Sequence, residues 1–300
     1  MRNFKQTNLG KRLIHRYHIM LCNVLPRLID DRRAVVHYYK RRSGHKPNLS
    51  SPKTFSEKQQ WYKLNSNNPL MAQCADKYEV RRYIKQCGYE NLLNEVYGVY
   101  DRVEDLDIAH LPQQFVLKAA HASGWNLIVR DKDSRDWKQE MKTMRLWLKQ
   151  DIYWSGREWV YRDLKKRILA ERYLEDDSGG LLDYKFYCFN GVPQFMQLEV
   201  GRFTNHNTRN FYDMHWNLLP FGKELPHDPN VQIKMPTCFE EMKKIASDLS
   251  KPFSYVRVDL YQVKGRIYFG ELTFFPAGGA PDFVPEKYDK IVGDMWNIEL

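Results

Sequence analysis

At 300 residues the chain is long enough to bury one large core or two modest ones. No segment approaches the uninterrupted apolar length of a membrane span. The five cysteines (Cys22, Cys74, Cys87, Cys188, Cys238) are odd in number and scattered, with no CxxC pair, which argues against a zinc site or a disulfide framework and for the reducing cytoplasm. The net charge of +10 gathers at the front, where residues 1–53 carry Lys11, Arg12, Arg16, Arg27, Arg32, Arg33, Lys40, Arg41 and Arg42 against only Asp30 and Asp31.

A basic stripe mixed with apolar residues, here residues 1–46, suits an anionic membrane surface or an anionic glycan. A solvated cationic helix face packed on its own domain accounts for it equally well. No helix-turn-helix, zinc finger or aromatic RNP strand accompanies the charge, so nucleic acid is not an expected partner. Arg16, His18 and Asn23 break the early apolar stretch, and no small-residue cleavage site follows, so no secretory signal is expected.

In chain order, residues 9 to about 42 read as helix interrupted at Pro26, followed by the connector HKPNLSSPK. Thr54-Phe-Ser-Glu57 is a capping-box pattern opening a helix through Trp61 and Leu64. A further helix is expected from Pro69 to about Gln86. From Val96 the character changes, and VYGVY, FVLKAA, NLIVR, RILAERYL, LDYKFYCF and PQFMQLEV read as strands. Helices interrupt at 136–150 and 238–250, the second opened by another capping-box pattern, Thr237-Cys-Phe-Glu240. Asn190-Gly191 marks a tight hairpin. The loop after FVLKAA carries Ser123-Gly124, small residues that let backbone N–H groups approach a phosphate. The class is α+β: a helical, basic region over 1–92, then mainly antiparallel sheet in two parts, 93–176 and 177–300.

The final hairpin, SYVRVDLY and GRIYFGELTFFP around Lys264-Gly265, carries the sharpest signal. Val256, Val258 and Leu260 make one face of its first strand, with Arg257 and Asp259 on the other. Setting Val258 against Leu272 and Val256 against Phe274 also sets Asp259 against Glu271 and Arg257 against Thr273. Tyr255, Tyr261, Ile267 and Phe269 are expected to share the carboxylate face, which is too apolar for a solvated edge. Two carboxylates opposed at ~5 Å repel unless a cation or proton lies between them, and Mg²⁺ with hard oxygen ligands resolves the conflict.

Together these pieces resemble the ATP-grasp superfamily over roughly Val96 to Gly279. The chain is most similar to its TupA-like branch, named for a teichuronopeptide biosynthesis protein. PKTFSEKQQWYKL, ADKYEVRRY, FVLKAAHASGWN, ILAERYLED, DYKFYCFNG, TRNFYD and GELTFFP carry the likeness and extend it back to about Pro47. The resemblance implies an ATP-grasp fold, two α+β subdomains clasping ATP, behind a helical N-terminal region. It implies that Lys118 contacts ATP phosphates and that the loop His121, Ser123, Gly124, Trp125 and Asn126 closes over them. Glu171, Arg172, Tyr173 and Leu174 would form the adenine hinge. Lys185, beside Asp183, would reach the β- or γ-phosphate, and Arg202, Arg209 and Arg257 would neutralise the transferring phosphoryl group or a substrate carboxylate. Asp259, Glu271 and Thr273 would hold Mg²⁺. Thr273 stands where most members have Asn, and no βαβ pre-domain precedes the grasp lobes.

The implied reaction is ATP-dependent ligation of a carboxylate to an amine, on an anionic glycan or a lipid-linked glycan acceptor of cell-surface polysaccharide synthesis, at the inner membrane face. Two rivals stand beside it. One is a glycosyltransferase, for which Asp131-Lys-Asp133 and Asp105-Leu-Asp107 offer the short DxD metal pattern. The other is a non-catalytic glycan-binding module on the same scaffold.

Overall fold

The computed structural model describes residues 28–175, 181–200, 207–231 and 233–298, so the basic segment 1–27 and Arg202 lie outside the described residues. Helix α1 (Asp31–Ser43) starts at Asp30, whose carboxylate accepts from the Arg33 amide at 2.9 Å, and stops at Gly44, left-handed at φ 84°. It buries Val35 and Tyr39 and leaves Arg32, Arg33, His37, Lys40 and Arg41 exposed. The expected capping box opens α2 (Phe55–Asn65), with Thr54 and Glu57 satisfying each other's amides.

The expected single helix over 69–86 is two, α3 (Pro69–Ala75) and α4 (Val80–Gln86). Asp76 breaks it: its backbone is extended at ψ 122°, and its carboxylate accepts from the amides of Tyr78 (2.8 Å) and Glu79 (3.0 Å). A short polar side chain that caps the next turn outcompetes continuation of the helix.

Strands β1 (Val96–Tyr100), β2 (Phe115–Ala119), β3 (Asn126–Val129) and β4 (Ile168–Arg172) form an antiparallel sheet in the order β1-β4-β2-β3. One face packs Phe115, Leu117, Val129 and Ala170 against Met144 of α5 (Trp137–Lys149). Trp137 stacks on Phe115 at 5.9 Å. The other face presents Val116, Lys118, Leu169 and Glu171, which the register aligns across β2 and β4.

A short helix, α6 (Tyr153–Gly156), and a 3₁₀ turn at Trp159–Tyr161 precede β4. The second sheet contains β5 (Asp183–Phe189), β6 (Val192–Val200), β7 (Thr208–Asp213), β8 (Tyr255–Val263) and β9 (Arg266–Thr273), in the order β7-β6-β5-β8-β9. Asn190-Gly191 and Lys264-Gly265 turn the β5-β6 and β8-β9 hairpins with positive φ at both residues, which matches the twist of the flanking strands. Helix α7 (Phe239–Ser250) covers the face of Phe186, Cys188, Val256 and Val258. Its expected capping box is not made: Cys238 is the N-cap and no side chain caps the helix.

The opposite face of this sheet is divided. At one end Phe55 of α2 packs among Tyr187, Phe189, Tyr255, Phe283 and Trp296, the last just beyond α8 (Lys287–Asp294). At the other end lie Asp183, Lys185, Arg257, Asp259 and Glu271. The N-terminal helices therefore seal half of this face and leave the charged half as a site. Among the described residues no helix is long and apolar enough to cross a membrane.

Candidate active site

The hairpin register is the one its hydrophobic pattern demands: Asp259 opposes Glu271, Val258 opposes Leu272 and Arg257 opposes Thr273. What lies between the carboxylates is a guanidinium. Arg257 grips Asp259 through Nε (2.7 Å) and Nη2 (2.6 Å), and Nη2 also reaches Glu271 at 3.2 Å and Thr273 Oγ1 at 3.1 Å. Lys185, opposite Asp259 on β5, donates to it at 2.7 Å and also contacts Asp183. Repulsion between the two carboxylates thus does not by itself require a metal, because two cations from neighbouring strands offset it.

The charges stay paired despite burial. Burial works against the Lys185 ammonium, but Asp183 and Asp259 more than restore it and raise its pKa. Burial, with the charge of Asp259, pushes the Asp183 carboxyl up to about 6 against the pull of Lys185. Burial would raise Glu271 too, yet Lys77, Arg257, Lys185 and the Thr273 hydroxyl hold it down to about 2. Two carboxylates and a hydroxyl are hard oxygen donors that fit Mg²⁺. Asp259 is fully buried, with both oxygens committed to Arg257 and Lys185. The side chain of Glu271 is 36% exposed and among the described residues uses only Oε1, so it is the accessible ligand of the set.

The alternation that places Ile267 and Phe269 beside Glu271 fails. A bulge at Gly270 makes Leu260, not its neighbour, oppose Phe269, so Phe269 and Ile267 join Val258, Leu260 and Leu272 in the core. A Cβ at Gly270 would stand 2.8 Å from the Asp259 carbonyl oxygen, so only glycine allows the kink. The bulge lets the outer half of β9 fill the core while its last residues aim carboxylate and hydroxyl at the site.

On the first sheet Lys118 donates to Glu171 at 2.6 Å, an ion pair on the face away from α5. The loop after β2 closes through Ala119 and Trp125, leaving Ser123, Gly124 and Asn126 exposed, with Gly124 at φ 74°. His121 is not at this surface. It is buried, one ring nitrogen meets the Trp147 carbonyl at 3.1 Å, and burial lowers its pKa. It anchors the loop to α5, edge-on to Trp125.

Sequence reasoning missed Lys77. It lies just after the Asp76 break, its amide bonds the Ala120 carbonyl at 3.0 Å, and its ammonium contacts the Ala122 carbonyl in the small-residue loop. Burial lowers its pKa, opposed first by Glu271 and also by Asp76 and Glu171, while Lys118 adds to the lowering. Lys77 thus stands between the loop of the first sheet and the carboxylate of the second. The available signal was the string Ala75-Asp-Lys-Tyr, whose Asp is a helix breaker.

Other expected residues fall elsewhere. Arg172 aligns with Phe115, on the α5 side of its sheet, away from Lys118 and Glu171. It lines an outer groove with Tyr97, Gln113, Arg130, Asp131 and Asp133, which is where one DxD pair lies. Asp107 of the other DxD pair caps a 3₁₀ turn at His110. The chain leaves β4 at Tyr173 and Leu174, and the Tyr173 hydroxyl accepts from Arg130 at 3.0 Å. Arg209 shares the charged face but sits on the edge strand β7, three strands from Arg257, or ~14 Å. There it is held by Glu199 at 3.5 Å and Glu224 at 2.9 Å.

A family model described as TupA-like ATPgrasp matches residues 57–297. A search of curated proteins gives no significant match. Among solved structures, D-alanine–D-alanine ligase from Bacillus anthracis complexed with ATP is 18% identical, with a TM-score of 0.42, over 67% of this chain and 55% of that one. Phosphoribosylamine–glycine ligase from Thermotoga maritima is 15% identical, with a TM-score of 0.40, over 68% and 48%. The chain therefore spans about half the length of these ligases.

Proposed function

The chain belongs to the TupA-like ATP-grasp family, whose model spans most of its length, and from that premise we propose that it is an ATP- and Mg²⁺-dependent carboxylate–amine ligase. One observation carries the reading. Lys77 lies between a small-residue loop on the first sheet and Glu271 on the second, so cations suited to phosphate and an oxygen ligand suited to Mg²⁺ share one cleft. Ser123 and Gly124 are exposed, and backbone amides of such a small-residue loop suit phosphate oxygens, whose charge Lys77 and Lys118 offset. Arg257 keeps its positive charge beside Glu271 and orients a substrate carboxylate toward the γ-phosphorus. Lys185, held charged by Asp183 and Asp259, stabilises the transferring group. Mg²⁺, with Glu271 as its accessible ligand and Asp259 and Thr273 beside it, supplies charge neutralisation at the phosphates when bound.

Transfer of the phosphoryl group gives an acyl phosphate, which an amine converts to an amide with release of phosphate. The substrate class follows the family: a uronic acid and an amino acid or amino sugar on a cell-surface polysaccharide or its lipid-linked precursor. The cationic outer face of α1 and the basic composition of the sequence before it support an anionic glycan or the inner membrane surface as the neighbour. The test is a coupled assay with Mg-ATP, glucuronate or galacturonate, and pooled amino acids and amino sugars. ADP formed together with a new amide mass supports the reading. Release of a nucleoside diphosphate from sugar nucleotides, with no ATP turnover, would replace it with glycosyl transfer.

A further inference from the structure

The outer groove beside Arg172 runs across the end of the whole first sheet. Its volume is about 590 Å³, within the ~300–1,000 Å³ of small-molecule sites. Along the strand order β1-β4-β2-β3 it takes Tyr97 from β1, Arg172 from the last position of β4, Gln114 from just before β2 and Arg130 from just after β3. Phe115 pairs with both Arg172 and Val129, so the neighbouring strands end together there.

The walls are fixed before any ligand arrives. Lys132 pins the loop after β3 to the segment before β2, donating to the carbonyls of Leu111 (2.7 Å) and Ala109 (3.2 Å). Trp137 Nε1 holds the Lys132 carbonyl in turn at 3.0 Å, and Gln113 joins the same two segments through a 2.9 Å bond to Asp133. On the β1 side the Tyr97 ring packs against the core of this sheet. Tyr97 is the extra residue of a bulge between Val96 and Gly98, a device that re-aims a side chain out of a regular ladder.

What these walls leave open defines the ligand. Among the described residues the exposed Arg172 guanidinium makes no hydrogen bond or ion pair, and the Gln114 amide makes no hydrogen bond. Asp131 and Asp133 each spend one carboxylate oxygen there, on the Asp133 amide (3.1 Å) and on Gln113. A planar guanidinium grips a carboxylate with two parallel bonds, while carboxylate and amide oxygens accept from hydroxyls. The Tyr97 ring offers an apolar face to a sugar ring. Asp131, Asp133 and Glu175, the last 3.8 Å from Arg130, repel a polyphosphate, a nucleic acid or an anionic bilayer. The favoured anion therefore carries a single charge among several hydroxyls, as an acidic sugar does.

We infer that this groove is a docking subsite for an acidic oligosaccharide, so that the protein works on a sugar chain and not on a free uronic acid. The consecutive residues Glu171 and Arg172 align with Val116 and Phe115, on opposite faces of the sheet. One strand end thus separates the groove from the Lys118–Glu171 face of the cleft. A chain can lie in the groove and turn its next sugar around that end, whereas a single sugar reaches only one side. The link to the reaction rests on the ligase reading; saccharide binding in the groove does not.

The test is calorimetric titration of trigalacturonate, galacturonate, neutral maltotriose and tripolyphosphate into full-length wild type and R172Q, with AMPPNP titrated separately. Trigalacturonate is expected to bind wild type at least tenfold more tightly than the other three probes, and R172Q at least tenfold more weakly than wild type. AMPPNP is expected to bind both proteins alike and not to displace trigalacturonate. The assignment is overturned by no binding of trigalacturonate to wild type or by galacturonate binding as tightly. It is equally overturned by equal trigalacturonate affinity in R172Q, which places the probe on another cationic face, by tripolyphosphate binding as well, or by displacement with AMPPNP. Each of these leaves the ligase reading standing. Failure of AMPPNP to bind either protein would sink that reading while the saccharide titration still decides the groove.

Discussion

Asp259 and Glu271 face each other across one hairpin but do different work. Asp259 is fully buried and holds two cations, so Asp259→Asn leaves Lys185 and Arg257 facing each other without their shared partner. Breaking one member out of a buried charge cluster costs about 3–5 kcal/mol. Glu271 is partly exposed and shares Arg257 with Asp259, so Glu271→Gln is expected to cost under about 1 kcal/mol. Urea unfolding of the two variants checks the contrast, and equal losses would contradict it. Glu158 gives a pH prediction of definite sign. Its folded pKa, about 7, lies above its unfolded value, so its contribution is fully present below about pH 4.3 and is lost as pH rises toward 7. Lys63, lowered to about 8, titrates above that window. The melting temperature of Glu158→Gln relative to wild type is therefore expected to climb from pH 5 to pH 7. A constant difference would show that Glu158 titrates as an ordinary carboxyl.

Strand β9 shows how one residue redirects an element. Gly270→Ala puts a Cβ 2.8 Å from a backbone oxygen and 3.0 Å from the Tyr261 ring, an overpacking worth about 1–3 kcal/mol. It is expected to lower stability and to weaken Mg-dependent nucleotide binding, because the bulge orients Glu271. Unchanged melting and binding would mean that the bulge is incidental. The register at Asp259 and Glu271 was legible in the sequence because Val258 and Leu272 must share a core. The faces of Ile267 and Phe269 were not, since strict alternation carries no sign of an inserted residue except the glycine itself. Asp76 teaches the same lesson. Helical spacing runs through residues 69–86, but an Asp whose side chain caps the next turn ends the helix, and that stop is what sets Lys77 facing the loop. His121 and Arg172 stand apart from the other residues of their motif strings because neighbours in a string need not share a face: one is anchored to α5, and the other aligns with Phe115.

At the scale of the whole molecule, the helical region takes part in the site. Phe55 fills one half of the second sheet's inner face, and Lys63 and Gln60 hold the carbonyls of Gly278 and Gly279 just after the carboxylate hairpin. Lys77 then joins the two sheets electrostatically. Lys77→Met is expected to weaken nucleotide binding at least tenfold while the fold survives, since a partly buried ammonium is exchanged for an apolar chain of similar length. Far-ultraviolet circular dichroism and AMPPNP titration read the two effects separately. The α+β class and the hairpins followed from local patterns in the sequence; the order of the strands in each sheet did not. The pairing of the two sheets across Lys77 did not, because it depends on contacts between residues about two hundred positions apart.

The central claim is that this cleft binds ATP through cations from both sheets and a Mg²⁺ ion held at Glu271. Calorimetric titration of AMPPNP into wild type and Glu271→Gln, each with and without Mg²⁺, tests it most directly. The expected result is that Mg²⁺ tightens binding at least tenfold in wild type and has little effect in the variant. No binding of AMPPNP to wild type, or an equal Mg²⁺ effect in both proteins, would contradict it.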